Sequence, residues 1–477
     1  MSMIRNSLLL AVASGTLILS GCMTVSEPYE RPDAPIPAAL PVTDPDGEPV
    51  EPVVWEDVFT APELRQLIEI ALDENRDLRI AAANVQLARA QYGISRAQRL
   101  PAVDARGAVT EGGTFETGNA GGAGFGDNAS ASIGVTAYEL DLFGRVANLN
   151  EAALQSYLAT EEGERAAKIS IAATVGELWM QLAADKALLA LAEDTVDVQS
   201  ESLELTGELF DAGVATELDV RRASASVETA RAQVAQFAAQ VDQDLNALRL
   251  VVGTDLPEGV YDAVRLEPAP LVSDVPLSQS SLVLLKRPDV QQAERQLLAA
   301  NANVAAARAA FFPVISLTGQ VGYASSDLTD LFDGTAGWSF GPSISLPIFD
   351  AGARQSNLEV SQARRDIAVA SYEQAIQSAF RDTADALAVA RTIDERVDAL
   401  GRLVEDTSIT LELSQERFQV GVDDYLSVLD SQRLNYNARQ QLIQAELVRH
   451  LNIIALYRAL GAWPEQGAAP AGLQGQN

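Results

Sequence analysis

Residues 418–432 have the sequence FQVGVDDYLSVLDSQ, and residues 210–214 repeat its beginning as FDAGV. The two segments lie 208 positions apart. A second pair, LRLVVG at 248–253 and LYRALG at 456–461, has the same offset. Matching segments at one fixed offset indicate an internal repeat. The sequence therefore predicts two copies of one architecture, each with a glycine turn at the same place.

The repeat divides the chain into two copies and four other segments. We place the first copy at 61–253 and the second at 286–461, because these ranges contain the matching segments. Eight prolines between residues 23 and 60 exclude a regular helix there and predict an extended strap. The remaining segments are predicted to be a signal peptide, a lipidated proline-rich strap, a linker and a flexible tail, at 1–21, 22–60, 254–285 and 462–477.

Each copy is predicted to contain one very long helix between two shorter ones. No proline occurs between residues 145 and 210, and apolar residues recur there every seven positions from Val175 to Phe210. Such spacing is typical of helices that pack as coiled coils. About 66 helical residues span roughly 100 Å. The predicted helices are about 75–99, 145–211 and 215–252 in the first copy, and about 287–311, 353–419 and 423–460 in the second.

Each copy also contains two segments in which apolar and polar residues alternate. Ile315, Leu317 and Val321 alternate with polar residues, which is the pattern of a strand with one apolar face. The apolar phase of the second strand changes near Tyr138, which predicts a β-bulge. The predicted strands are about 101–112 and 130–143 in the first copy, and about 313–324 and 337–349 in the second.

Four such strands cannot close a barrel by themselves, and lipid does not tolerate unpaired strand edges. The chain is therefore expected to oligomerise. Two copies of the chain would supply eight strands, which pack almost solid, whereas three would supply twelve and leave room for a lumen.

Composition excludes several classes of function. The chain has 34 basic and 66 acidic residues, a formal charge of -32, which disfavours nucleic-acid binding. One cysteine and one histidine leave almost no material for zinc sites or for Ser-His and Cys-His catalysis. We therefore expect no enzyme, no metal and no cofactor beyond a covalent lipid. His450 is expected on a helix surface, without a partner.

The N-terminal segment explains the single cysteine. An apolar run from Leu8 to Leu19 ends in Leu19-Ser20-Gly21-Cys22, and is too short to span a bilayer as a helix. This ending resembles the bacterial lipobox, in which the cysteine becomes the first residue of the mature chain. Cys22 is therefore predicted to carry N-palmitoyl and S-diacylglycerol groups, which anchor it to outer-membrane lipid.

Together, these features resemble the TolC-like outer membrane factor family, and most closely its lipoprotein branch, which serves resistance–nodulation–division (RND) efflux systems. Residues 418–432 are similar to the periplasmic tip hairpin of that family. The resemblance covers nearly the whole mature chain. It implies a mainly α fold with a membrane β-barrel. In a homotrimer, a 12-stranded outer-membrane barrel with four strands per chain would continue as a long α-helical periplasmic tunnel.

The resemblance also implies a function. The chain would be the outer-membrane exit duct of a tripartite efflux pump in a Gram-negative bacterium, lipid-anchored and projecting into the periplasm. It would passively conduct small molecules such as drugs from a periplasmic adaptor and an inner-membrane RND-type transporter. Ducts for type I protein secretion or heavy-metal efflux are the alternatives. Met180 is the only methionine after residue 23, which weighs against a Cu(I) conduit because that ion favours thioether sulfur.

Two sets of candidate site residues lie close to the repeated turns. The turns Gly213-Val214 and Gly421-Val422 are predicted to contact the adaptor, and glycine there permits the positive φ that ends many helices. Four acidic residues are predicted to form a closed aperture, in the order Asp430, Asp423, Asp424 and Asp219.

Asp430 is the foremost aperture residue, since three copies would form a ring of carboxylates that selects cations. Asp423 lies seven residues before it and would share its helix face if the helix began early enough. Some relatives carry a basic residue at the position of Asp423. Without it, hydrogen bonds from Tyr425 or Gln432 are expected to hold the closed state instead.

Overall fold

The structure is a computed structural model that describes residues 29–41, 54–112, 128–267, 271–272, 280–326, 328–333 and 336–460. The predicted signal peptide, Cys22 and the predicted tail at 462–477 lie outside these residues. Within the described ranges, no helix is both long enough and apolar enough to cross a bilayer.

The main helices have the same lengths in both repeats. In each repeat a helix of 22 residues is followed by one of 67 and one of 36. The first three are α3 (Arg76–Ala97), α4 (Arg145–Asp211) and α5 (Glu217–Val252), and their counterparts are α7 (Pro288–Ala309), α8 (Ala353–Gln419) and α9 (Tyr425–Leu460). The shorter helices are α1 (Trp55–Val58), α2 (Pro62–Glu74) and α6 (Val260–Ala263), and a 3-10 helix covers Ser281–Lys286.

Helix caps set the beginnings of the returning helices. Thr216 is the N-cap of α5, and its hydroxyl accepts a hydrogen bond from the backbone N–H of Asp219. Asp424 plays the same part for α9, because its Oδ1 accepts the backbone N–H of Ser427 at 3.2 Å. Side-chain oxygens at these positions satisfy backbone donors that a helix leaves free. Helix α9 therefore begins at Tyr425, two residues later than the predicted start at 423.

Four antiparallel strands form one sheet in the order β1-β2-β3-β4. Their bounds are Val103–Thr110, Asn128–Leu140, Val314–Ser325 and Gly337–Ser345. The mainly helical fold with four strands per chain is thus confirmed. The register between β2 and β3 shifts between Val135 and Tyr138, which confirms the predicted β-bulge. Ala137, inside this bulge, has a φ of 54°.

The chain divides into two compact units that do not follow the repeats. One consists of the described residues within 1–33, 84–160 and 292–372, and the other of the described residues within 34–83, 161–291 and 373–477. Each unit takes residues from both copies, whereas the sequence predicts boundaries between the copies. The reason is helix length, since α4 and α8 each continue from one unit into the other.

The second unit contains a core in which α4 allows close packing at Gly176. A Cβ atom at Gly176 would lie 2.5 Å from Cε1 of Phe59. The Phe59 ring, which is fully buried, packs edge-on against Tyr457 of α9 with 5.7 Å between ring centroids. Burying an aromatic side chain of this size contributes about 1.5–3 kcal/mol. The glycine therefore lets the segment after α1 pack directly against the long helix.

In the first unit, the described part of the strap is attached to α7. Arg31 donates two hydrogen bonds to Glu294, each 2.7 Å long, and Tyr29 lies beside the same carboxylate. The Glu294 side chain is almost fully buried, so its charge needs this partner. The strap also differs from its prediction at one place, because residues 55–58 form the short helix α1 rather than an extended chain.

Candidate functional site

The sheet separates apolar from polar side chains on its two faces. One row of paired residues runs across all four strands through Ala105, Ile133, Val321 and Trp338. The neighbouring row on the opposite face contains Asp104, Gly134, Gln320 and Ser339. Residues directly opposite each other in a sheet share a face, so the first row belongs to an apolar face and the second to a polar one.

This apolar face is exposed in the single chain. Trp338 is 81% exposed and Ile344 is 72% exposed, and both point away from any described core. Other large apolar side chains of the sheet are exposed as well, namely Val103, Val109, Ile133, Val321, Tyr323 and Phe340. Contiguous apolar surface of this kind marks a membrane or protein contact.

The bulge in β2 preserves this face along the whole strand. Before the bulge, Ile133 pairs with Val321, and after it Tyr138 pairs with Leu317 and Leu140 with Ile315. The inserted residue shifts the alternation by one position, so that even-numbered residues take over the apolar side. The phase change in the sequence therefore leaves one continuous apolar face.

The two predicted tip turns have the same hydrogen-bond pattern and nearly the same backbone geometry. Gly213 has a φ of 77° and Gly421 a φ of 74°. The N–H of each glycine donates to the carbonyl three residues earlier, at 2.9 Å in both turns. The N–H of Val214 donates to Leu209 at 2.8 Å, and that of Val422 to Arg417 at 2.9 Å. These bonds define a Schellman motif, in which a glycine in the left-handed region ends a helix.

The valines after these glycines are unusually open. Val214 is 72% exposed and Val422 is 61% exposed. In many Schellman motifs an apolar residue at this position packs back onto its own helix. Beneath the turns, Ala223, Tyr425 and Val428 instead form a small buried cluster. Two exposed valines over an ordered cluster are suited to contact another protein.

Three of the four acidic residues predicted for the aperture are engaged within their own turns. Asp219 belongs to the N-cap of α5, and the hydrogen bonds from Thr216 lower its pKa. Asp424 is the N-cap of α9. Asp423 accepts two hydrogen bonds from Arg417, at 2.6 and 2.8 Å, and this guanidinium holds the pKa of Asp423 below its ordinary value.

The condition under which Asp423 and Asp430 would share one helix face is not met. Asp423 precedes the first residue of α9, so it does not share the helical periodicity that would align the two carboxylates. Asp430 lies within α9, and Arg433 donates to it at 3.1 Å. Asp430 is therefore the only one of the four that projects from a regular helix interior.

Asp430 borders a groove of about 530 Å³. It is lined by both polar and apolar residues of α4, α5 and α9, and the polar ones include Gln199, Arg222, Ser226, Asp430, Gln432 and Arg433. Gln432 is nearly buried, and neither its Nε2 nor its Oε1 has a hydrogen-bond partner among the described residues. Tyr425 is also buried, and its hydroxyl accepts a hydrogen bond from Ser202 at 3.2 Å. The Tyr425 hydroxyl therefore already has a hydrogen-bond partner within the chain, whereas both polar atoms of the Gln432 side chain lack one among the described residues.

The expected surface position of His450 is wrong, although neither ring nitrogen has a hydrogen-bond partner among the described residues. This residue is 1% exposed, and its Nε2 lies 3.5 Å from Oε1 of Glu267. Arg449 pairs with the same carboxylate at 2.7 Å. Burial, followed by the charge of Arg449, lowers the pKa of His450. The local sequence around His450 does not indicate this burial, because Glu267, which lies beside it, is 183 residues away along the chain.

Sequence reasoning missed a pair of buried carboxyl groups, Asp185 on α4 and Asp244 on α5. Nothing in the local sequence distinguishes them from the many acidic residues on helix surfaces. Within the described residues, no group of three or more His, Cys, Asp or Glu side chains could hold a metal ion. Cys22, the predicted lipid site, lies outside these residues.

Comparisons with known proteins identify the family. The family model described as "Outer membrane efflux protein" matches residues 67–254 and 280–462. A toluene efflux pump outer membrane protein, TtgC of Pseudomonas putida, is 41% identical over 471 residues, which cover 96% of each chain. An antibiotic efflux pump outer membrane protein, ArpC of the same species, is equally similar. The open-state crystal structure of the MtrE outer membrane channel from Neisseria gonorrhoeae is 36% identical. It has a TM-score of 0.81 and covers 92% of this chain and 98% of its own. The resemblance found in the sequence is thereby confirmed, and the chain belongs to the outer membrane efflux protein family.

Proposed function

We propose that this chain is the outer-membrane exit duct of a tripartite efflux pump, built from three copies. The observation that carries the proposal is the four-stranded sheet, which has one exposed apolar face and two edge strands, β1 and β4, with no further partner in the described chain. Unpaired strand edges are not tolerated in lipid, so neighbouring copies must pair β4 with β1. Three copies give 12 strands, enough to surround a lumen.

Two helices that continue the edge strands support the same arrangement. Helix α3 leads into β1 and α8 follows β4. Leu87 and Ile94 lie seven residues apart on α3 and are exposed, as are Val360 and Ile367 on α8. An apolar stripe with this spacing is suited to pack against another helix. We infer that the α3 stripe of one copy packs against the α8 stripe of the next.

Thiol cross-linking tests this assembly. In a closed ring of identical copies, each contact joins two different surfaces. A double variant, Leu87→Cys with Ile367→Cys, should therefore produce dimers and trimers on denaturing gels, and nothing larger. The matched controls are the two single variants. In a heterologous contact, residue 87 of one copy meets residue 367 of the next, so a single cysteine has no second cysteine opposite it. Bands beyond the trimer, or the same ladder from one single variant, would contradict a closed three-membered ring.

The proposed cargo is small hydrophobic molecules. Two relatives at 41% identity are named for toluene and antibiotic efflux pumps. The chain's own role is passive, and energy comes from an inner-membrane RND-type transporter. A periplasmic adaptor joins the two by contacting the turns at Gly213-Val214 and Gly421-Val422. Acyl chains on Cys22 add a second anchor to that of the barrel.

Deletion of the gene tests the transport function. Susceptibility to organic solvents and to hydrophobic antibiotics should rise and be restored by the wild-type gene. A variant with Trp338→Asp and Ile344→Asp should fail to restore resistance, since a charged residue on the lipid-facing side of a barrel strand is destabilising. Ser339→Asp, on the polar face of the same strand, is the matched control. Restoration by the apolar-face variant would contradict a lipid-facing role.

A further inference from the structure

Two acidic side chains meet inside the second unit. Asp185 belongs to α4 and Asp244 to α5, the two helices joined by the turn at Gly213. Each residue is only 5% exposed. Ionised carboxylates are rarely buried unless a cation or several donors compensate for the lost water. The partners of these two groups therefore decide their protonation.

One oxygen of each carboxyl group is already engaged by a glutamine. Gln181 donates its Nε2 to Oδ2 of Asp185 at 2.8 Å, and Gln240 donates its Nε2 to Oδ1 of Asp244 at 3.1 Å. Oδ2 of Asp244 is buried and receives no hydrogen bond from a donor among the described residues. What lies within hydrogen-bonding reach of Asp244 is the Asp185 carboxyl group itself.

Cations on the surrounding elements are committed elsewhere. Next to Asp185 on α4, Lys186 donates to the carbonyls of Tyr261 and Val264. On α2, which packs against α5, Arg65 donates to the carbonyls of Glu56 and Phe59. On α9, Arg449 pairs with Glu267, beside His450. The charged group that acts on Asp244 is Asp185.

Two carboxyl groups in contact form a hydrogen bond only when one of them is protonated, because an ionised carboxylate has no donor. Burial, the hydrogen bond with Asp185 and the charge of Asp185 raise the pKa of Asp244 from 3.8 to about 6. The folded chain thus retains a proton at pH values where an unfolded chain has lost it.

We propose that Asp185 and Asp244 form a proton-binding site that ties α4 to α5, so that one shared proton closes the contact and its loss opens it. The bond is complete below about pH 4 and is lost as the pH rises through about 6, because the folded state binds the proton more tightly than the unfolded state. This contact lies in the hairpin that carries Gly213 and Val214. A rise in pH above about 6 would therefore loosen that hairpin at a point distant from its turn.

Infrared difference spectroscopy of the purified full-length protein in detergent tests the site. The wild type should show a carbonyl stretch of a protonated carboxylic acid that titrates near pH 6. Asp244→Asn should remove this band, and so should Asp185→Asn, which serves as the second variant if the first folds poorly. Asp242→Asn, an exposed residue on the same helix, should keep it. Glu446, whose pKa is also raised by burial, is checked with Glu446→Gln, which should leave the Asp244 band in place.

Unfolding provides a second readout. A shift of about two pKa units changes the unfolding equilibrium by up to about 100-fold between pH 4 and pH 7.5. This dependence should be weaker in Asp244→Asn than in Asp242→Asn. A band that persists in both pair variants, or that disappears in Asp242→Asn, would overturn the proposal. The outcome does not depend on transport, so the site and the proposed efflux function can fail separately.

Discussion

Replacement of Gly421 by alanine isolates the backbone cost of the tip turn. The φ of Gly421 is 74°, in the left-handed region. A Cβ atom added there would meet no other heavy atom within 4 Å. The substitution therefore causes no clash, and its cost is that of placing an L-residue in the left-handed conformation, about 1–2 kcal/mol. Local opening of the turn should increase roughly 5–30-fold.

Hydrogen exchange of the full-length protein, followed by mass spectrometry, measures this opening in peptides that cover the end of α8 and the start of α9. Gly401→Ala is the matched control, because Gly401 lies inside α8 and a Cβ atom there would also meet nothing within 4 Å. Its effect should have the opposite sign, since alanine stabilises a helix interior by about 0.5–1 kcal/mol relative to glycine. Equal protection at residue 421 in wild type and variant would refute the assignment of a strained turn.

Four further predictions concern Cys22, Val422, Asp430 and Gly176. Intact-mass measurement should find diacylglycerol and an N-linked acyl chain on Cys22, and Cys22→Ala should lose both; an unmodified terminus elsewhere would exclude lipidation there. Val422→Trp should abolish adaptor cross-linking and pump-dependent resistance, so survival of both would end its docking role. Asp430→Ala should remove cation selectivity and divalent-cation block in planar bilayers, and unchanged currents would place Asp430 outside the aperture. Gly176→Ala should destabilise the protein by about 1–3 kcal/mol in thermal unfolding, because the new Cβ would overlap the Phe59 ring; an unchanged Tm would show that this ring can move.

The acidic residues near Gly421 show which features the sequence reveals and which need the tertiary structure. The density of acidic residues around Gly421 is visible in the sequence, but their roles are not. Asp423 turns toward Arg417, six residues earlier, because the Schellman turn brings the two together. Asp424 is the N-cap of α9 and accepts the backbone N–H of Ser427. Of the three acidic residues that follow Gly421, Asp430 alone lies within α9, where it pairs with Arg433.

The sequence by itself determined the features that depend on periodicity and on local backbone preference. These are the tandem repeat, the heptad spacing of the long helices, the alternation of the strands, the bulge near Tyr138 and the glycine turns at Gly213 and Gly421. Each is encoded within a few neighbouring residues, because side-chain direction repeats every 3.6 residues in a helix and every two in a strand.

Tertiary structure alone decided which polar groups are buried, and against what. His450 and Asp244 look like surface residues in their own helices, yet both are almost fully buried by segments distant in sequence. A pKa depends on burial and on charges within a few ångströms, and both quantities are set by packing between helices rather than by order along the chain. The division into two units has the same origin, since a helix of 67 residues extends beyond any one compact core.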